Sequence, residues 1–230
     1  MVHGIRTSTA IPYLDRLMTF AEPSPADVCL DVSCGSGPFA AALAPRVRAM
    51  TAHTAGPRGD DLPRGRTPTV QFGRDTALPY RDDSFTLVTA RFSLLRLGCP
   101  DRTLKEMLRV CRPGGRLIIA DLARPNLAGA DRNRIEQLRD PAHPAVPSVA
   151  RLVDLVTDAG ADVRRLDVLT VERPLESWLA DAPDAGGADR IRTALAEEFD
   201  GGPATGAKPR MIGGELWLTQ SWAHLAAGLL

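Results

Sequence analysis

The sequence predicts a doubly wound α/β fold: a mostly parallel sheet of seven strands, helices on both faces, and a helical lid. Three observations predict it. Short apolar runs alternate with amphipathic stretches along most of the chain, the pattern of strands joined by right-handed helical crossovers. The first apolar run, residues 28–32, passes straight into Ser33-Cys34-Gly35-Ser36-Gly37, a turn of small residues that lets a ligand come close to backbone. A length of 230 residues, 44% of them hydrophobic, is enough for one α/β domain with a real core.

Each element follows in order. Residues 9–21 carry apolar side chains at helical spacing, and the segment EPSPAD ends the run. The strand at 28–32 closes around the carboxylate of Asp31. Pro38 then opens a helix, a position where proline is tolerated because its missing N–H would have no partner anyway. Residues 47–52 read as a second strand, 54–67 as a loop rich in Gly, Pro and charge, and 69–72 as a third strand. The run at 84–90 is a fourth strand, apolar enough to be buried on both faces. Residues 101–111 set Leu104, Met107, Leu108 and Cys111 on one stripe, and Arg112-Pro113-Gly114-Gly115 gives a helix stop and tight turn before a fifth strand at 116–121.

Residues 126–147 predict a helix followed by a covering loop with prolines at 141, 144 and 147, and 149–159 an amphipathic helix. The last two strands fall at 163–171 and 214–225, with a helical insertion at 175–199 between them. The lid is therefore expected from 126–147 and 175–200, within one domain spanning 1–230.

Composition excludes several function classes. Lys plus Arg total 28 and Asp plus Glu total 28, which leaves no electrostatic case for nucleic acid. Cys29, Cys34, Cys99 and Cys111 form no CxxC pair and no zinc spacing, so buried free thiols in a reducing cytosol are expected. No apolar run approaches a membrane span and no leader-type apolar segment opens the chain, so a cytoplasmic location away from membranes is expected. Richness in Ala, Arg, Gly and Pro suits a GC-rich bacterial genome. A homodimer is compatible with the sequence. No HExxH, Ser/His/Asp order or paired catalytic carboxylate is present, and no metal is expected.

In an open α/β sheet, ligands bind beyond the carboxyl ends of the strands, near the switch in strand order. Gly35 and Gly37 should line that site whatever the ligand, although they could also serve the turn alone. The spacing Ser33-x-Gly35-x-Gly37 is not GxGxxG and disfavours a pyrophosphate-binding dinucleotide site. His143, in the covering loop, could act as a general acid or base near neutral pH; an exposed loop histidine is the alternative. Tyr13 and Tyr80 could present phenols to the pocket, or pack as core aromatics with a wet hydroxyl. Arg139 and Asp140 read as a local ion pair, and Trp217 and Trp222 as core residues of the last strand.

VCLDVSCGSG at 28–37, ALPYRDDSFTLVTARFSLL at 77–95, LKEMLRVCRPGGRLIIAD at 104–121 and LRDPAHP at 138–144 together resemble the UbiE-type (methyltransferase type 11) family of S-adenosylmethionine methyltransferases, in order and spacing over residues 10–225. The resemblance implies the class I methyltransferase, Rossmann-like fold. It also implies S-adenosylmethionine as cofactor, with Asp31, Ser33, Gly35, Gly37, His53, Thr54, Asp75 and Thr76 around it. Four departures stand out. The glycine turn begins with Ser33. The second strand ends in His53-Thr54, without the carboxylate that relatives set against the ribose hydroxyls, a loss worth about 1.5–3 kcal/mol. Gly73-Arg74-Asp75 replaces Gly-Asp-Ala, placing a donor where the family has an acceptor for the adenine amine. Arg91-Phe92-Ser93-Leu94-Leu95-Arg96 lacks the family's histidine pair.

These losses cluster on the cofactor and reaction face. They lead to the expectation of a natural-product tailoring enzyme repurposed for non-methylating cyclisation, cycloaddition or rearrangement, with the cofactor lost or kept as a structural ligand. Orientation in an enclosed pocket alone can remove several kcal/mol of barrier in such chemistry. The alternative is a conventional O-, N- or C-methyltransferase of a small molecule with a weakened cofactor site. A non-catalytic binding protein is the third reading.

Overall fold

The computed structural model describes residues 11–33, 38–54, 69–125, 132–180, 182 and 184–229. Gly35 and Gly37, and nearly all of the loop expected at 54–67, lie outside the described residues. Five strands run parallel in the order β3 (Thr69–Phe72), β2 (Ala49–Thr54), β1 (Val28–Ser33), β4 (Phe85–Arg91), β5 (Cys111–Leu122). The sheet continues through β8 (Glu215–Leu229) and β6 (Ala161–Pro174), each antiparallel to its neighbour. β1 pairs with β2 on one side and β4 on the other, so the strand order reverses there. Ligands collect above such a switch point.

Alternation along the strands supplies two cores, one on each face. Leu30, Val32, Val88, Leu117 and Ile119 point one way and pack under α3 (Pro100–Val110) and α5 (Val149–Asp158). Cys29, Leu87, Ile118 and Ala120 point the other way, against Leu17 and Met18 of α1 (Ile11–Ala21) and Phe39 and Leu43 of α2 (Pro38–Leu43). The ALPYRDDSF motif earns its place by a clamp. Arg109 of α3 donates to the carbonyls of Leu78 and Tyr80 and to Glu106 and Asp82, while Glu106 accepts from the Leu78 amide. This fixes the approach to β4.

The lid forms a third cluster of its own. Ile135 of α4 (Arg132–Arg139), Leu175, Trp178 and Leu179 of α6 (Leu175–Leu179), and Ile191 and Leu195 of α7 (Ala185–Phe199) pack together on Leu218 of β8. Asp184 caps α7, accepting from the amides of Gly186 and Gly187. Gly187 sits where α7 crosses α4: a Cβ there would lie 2.1 Å from the Leu138 carbonyl oxygen, so only glycine permits the crossing.

The insertion at 175–199 is helical as expected and consists of two helices. Two details differ from the sequence reading. A short strand, β7 (Arg210–Ile212), folds back on β8 as a hairpin, giving eight strands among the described residues. Pro113-Gly114-Gly115 does not separate helix from strand; β5 already begins at Cys111, and the three residues form a bulge where the pairing with β4 shifts between Phe85 and Leu87. Gly115 is required because a Cβ would meet Cys111 Sγ at 2.7 Å and the Arg112 carbonyl oxygen at 2.8 Å. Cys29 and Cys111 are buried free thiols as expected, whereas Cys99 is exposed and Cys34 lies outside the described residues. Among the described residues no helix is long and apolar enough to cross a membrane.

Candidate functional site

Two adjoining features lie at the carboxyl ends of the strands. The first is the edge formed by β1 and β2, where Ser33 and Thr54 are partners in register, as are Val32 and His53. Asp31 is buried one residue pair below. Thr89 of β4 donates to its Oδ1 at 2.5 Å. Burial pushes the Asp31 carboxyl up to about 6, against the pull of the Thr89 hydroxyl and the Arg91 guanidinium. Ser33 Oγ is buried without a hydrogen-bond partner among the described residues, and so is His53 Nε2. Met50 and Ala52 face the α2 side, and strand alternation turns Thr54 the same way.

His53 faces the opposite side, under the segment after β3, where a Cβ on Gly73 would stand 3.0 Å from its Cε1. Burial lowers its imidazole pKa below the ordinary value, only partly offset by the backbone at Gly73 and the charge of Asp75. Its Nδ1 stands 3.5 Å from the Tyr80 hydroxyl. Tyr80 packs edge-on against Phe85 and His53, and burial raises its phenol to about 12. Tyr80 therefore belongs to the β2–β3 side rather than to a reaction centre above β5. Asp75 is also buried, and accepts from Thr103 of α3 at 3.0 Å, tying the segment to that helix; Arg74 is exposed and Thr76 half-buried.

The second feature is a cleft of about 140 Å³ between the ends of β4 and β5 and the lid. Its apolar walls are Phe92, Leu95, Leu122, Trp178 and Trp222. Phe92 holds a φ of 50°, a left-handed backbone rare for a bulky residue, and meets Trp222 edge-on at 4.8 Å. The lid is latched over the cleft by polar contacts. Gln220 of β8 donates from Nε2 to Glu136 of α4 at 2.8 Å and accepts from Trp222 Nε1 at 3.3 Å. Arg139 donates to the Trp178 carbonyl oxygen and lies over its indole.

Asp121, the last carboxylate of RLIIAD, stands at the floor of this cleft. Leu122 N donates to its Oδ1 at 2.8 Å, while Oδ2 has no hydrogen-bond partner among the described residues. Burial raises the carboxyl to about 7 against the Leu122 and Leu95 amides and the guanidiniums of Arg96 and Arg91. Arg91, at the end of β4, is attracted by both Asp31 and Asp121, so it links the two features electrostatically; burial lowers its pKa.

Of the residues expected from the sequence, His143 lines the cleft. Its Nδ1 lies 2.7 Å from the Pro144 carbonyl oxygen, which can only accept, so Nδ1 carries a proton. Tyr13 packs on Trp222 at 5.2 Å in a small cluster with Leu169 and Val171, behind the cleft wall. Arg139 and Asp140 do not pair with each other: Asp140 is bound by Arg96, and Arg139 by Trp178. Trp222 is buried and also forms part of the cleft wall, while Trp217 is half-buried near the hairpin. Asp121, Arg91, Glu136, Arg173 and Gln220 were not anticipated. Only Asp121 carried a signal, a carboxylate ending an apolar strand as Asp31 does.

Residues 4–166 match the family model described as a methyltransferase domain. A demethylmenaquinone methyltransferase of Clavibacter sepedonicus is 30% identical over 72% of this chain and 68% of its own length. One from Paenarthrobacter aurescens is 45% identical over 51% of this chain and 46% of its own length. The chain thus spans about half or less of several of the curated relatives it matches. Among solved structures, YcgJ of Bacillus subtilis superposes with a TM-score of 0.78 at 18% identity, over 96% of this chain and 99% of that one. The [4+2]-cyclase SpnF superposes with a TM-score of 0.63 at 18% identity, over 99% and 84%.

Proposed function

The chain belongs to the methyltransferase domain family, and from that premise we propose that it transfers a methyl group from S-adenosylmethionine to a small molecule held in the cleft. The relatives are named as methyltransferases, which reverses the order of the two enzyme readings drawn from the sequence. The observation that carries the proposal is adjacency across the sheet: Asp31 of β1 is in register with Thr89 of β4, and two residues on Arg91 is in register with Ala120, the neighbour of Asp121 on the cleft, so a donor and an acceptor would share one wall. Methyl transfer depends mostly on such positioning, and well-oriented pairs gain several kcal/mol from it.

The edge fits the cofactor in part. Ser33 Oγ and His53 Nε2 are buried polar atoms with no hydrogen-bond partner among the described residues, although the Ser33 hydroxyl helps to hold down the pKa of Asp31. Those two residues, with Asp31 and Thr54, would hold the bound molecule, and Thr54 offers the sugar a hydroxyl instead of a carboxylate. S-adenosylmethionine supplies, when bound, an electrophilic methyl group on sulfur. The chain's own contribution is to orient the acceptor against the wall formed by Phe92 and Trp222, to cover it with the lid and to exclude water.

Calorimetric titration with S-adenosylmethionine and its demethylated product tests the reading. Binding in the micromolar range or tighter is expected, and Thr54→Asp should tighten it at least about tenfold by restoring a charge-assisted acceptor. No heat up to millimolar cofactor would sink methyl transfer. One observation favours the second reading, a non-methylating cyclisation or rearrangement of a natural product: β2 ends without a carboxylate. The likeness to SpnF is compatible with it. A protein that converts substrate with no response to the cofactor would establish that second reading.

A further inference from the structure

We propose that Asp121 is the proton acceptor of the reaction, its Oδ2 taking the proton of a hydroxyl borne on a ring-sized apolar group of the acceptor molecule. The inference deepens the methyl-transfer reading and rests on it for the fate of the oxygen. Its structural basis is independent. Oδ1 is committed to the Leu122 amide, whereas Oδ2 is buried and has no hydrogen-bond partner among the described residues. Buried polar atoms in native proteins are nearly always partnered, and a catalytic role is one of the few explanations for an exception. Of the other polar groups in the cleft, Glu136 accepts from Gln220, and His143 Nδ1 is held by the Pro144 carbonyl.

The size and lining of the cleft define the ligand class. A dry cavity of about 150 Å³ accommodates benzene, and this cleft measures about 140 Å³. Phe92, Trp178 and Trp222 present aromatic faces and edges suited to a single planar ring. A ring seated there can set a hydroxyl against the floor, where Asp121 waits.

The charged groups facing Asp121 come from every surrounding element: Arg91 on β4, Arg96 on the turn after it, Glu136 and Arg139 on α4, His143 in the covering loop and Arg173 on β6. Burial holds the carboxyl near neutrality, the range in which a general base works best at physiological pH. In the step itself the O–H bond breaks, its electron pair stays on oxygen as the nucleophile, and the proton moves to Oδ2. Total charge is unchanged, and the proton leaves to solvent after the product.

The test uses p-cresol and toluene as probes, one carrying the hydroxyl and one lacking it, followed by calorimetry and by Trp178 and Trp222 fluorescence. The full chain should bind p-cresol at least about tenfold tighter than toluene at pH 8. Its p-cresol affinity should rise with pH as Asp121 ionises. Asp121→Asn should bind the two probes within about threefold of each other with a flat pH profile, and His143→Gln should keep the rise. Cooperative unfolding confirms that each variant is folded. Equal binding of both probes by the native chain, a preference that survives Asp121→Asn, or no binding of either at millimolar concentration each overturns the proposal. Cofactor titration of the same proteins separates the two readings: Asp121→Asn should keep its affinity for S-adenosylmethionine. A native chain that binds p-cresol selectively but ignores the cofactor defeats methyl transfer alone.

Discussion

Asp121→Asn is expected to make the folded protein more stable at pH 8, by on the order of 2–4 kcal/mol, even as it removes the proposed proton acceptor. The sign follows from the carboxyl's position. Its folded pKa is raised to about 7 from an ordinary 3.8, with burial as the main cause. A group raised in this way contributes its stability fully below its unfolded pKa and loses it as pH rises through the folded value. At pH 8 the native chain therefore carries a buried, poorly compensated charge, and asparagine relieves it. Below pH 4 both proteins are neutral at that position and the difference should vanish. Urea unfolding of both proteins at pH 8, 6 and 4 measures this directly. His224 does not confuse the comparison: burial depresses its imidazole to about 4, which costs stability as pH falls from about 6.5, but equally in both proteins. A variant less stable than the parent at pH 8 would show that Oδ2 has a partner after all. Stability given up at a functional carboxylate is the trade common to active sites.

How much of this was legible beforehand depends on the range of the interactions. β1 and β5 are continuous apolar runs ending in a carboxylate, and a sheet strand buried on both faces can hardly read otherwise. The same rule that singles out Asp31 applies to Asp121, but no glycine turn follows Asp121 to mark a ligand there. Pro113-Gly114-Gly115 was ambiguous in principle, since proline and glycine signal a helix stop and a bulge equally well; only the pairing of Cys111 with Phe85 decides. Glu136 was beyond reach. In the polar helix RNRIEQLR it looks like one more solvated charge, and its burial arises from Gln220, 84 residues away. The cleft is assembled from such distant contributions, which is why its scaffold could be anticipated and most of its polar residues could not.

Trp178→Ala should cost about 3–5 kcal/mol, the range for truncating a large buried aromatic, and its effect should be confined largely to the lid. Trp178 is 1% exposed and is the largest side chain in a small cluster that shares no buried residue with the two sheet cores. Removing it leaves Ile135, Leu175, Ile191 and Leu195 around a void that the short helix α6 is poorly placed to fill. Arg139 loses the ring beneath its guanidinium, although the carbonyl it binds remains. Hydrogen exchange should therefore quicken in Arg132–Arg139, Leu175–Leu179 and Ala185–Phe199 while Val28–Ser33 and Phe85–Arg91 keep their protection. Ring-sized probes should lose their cleft at the same time, because one wall of it is the missing indole. Uniform acceleration across the sheet would instead mean that lid and sheet unfold as one unit. In that case the lid could not open on its own to admit a substrate, and entry would have to follow another route.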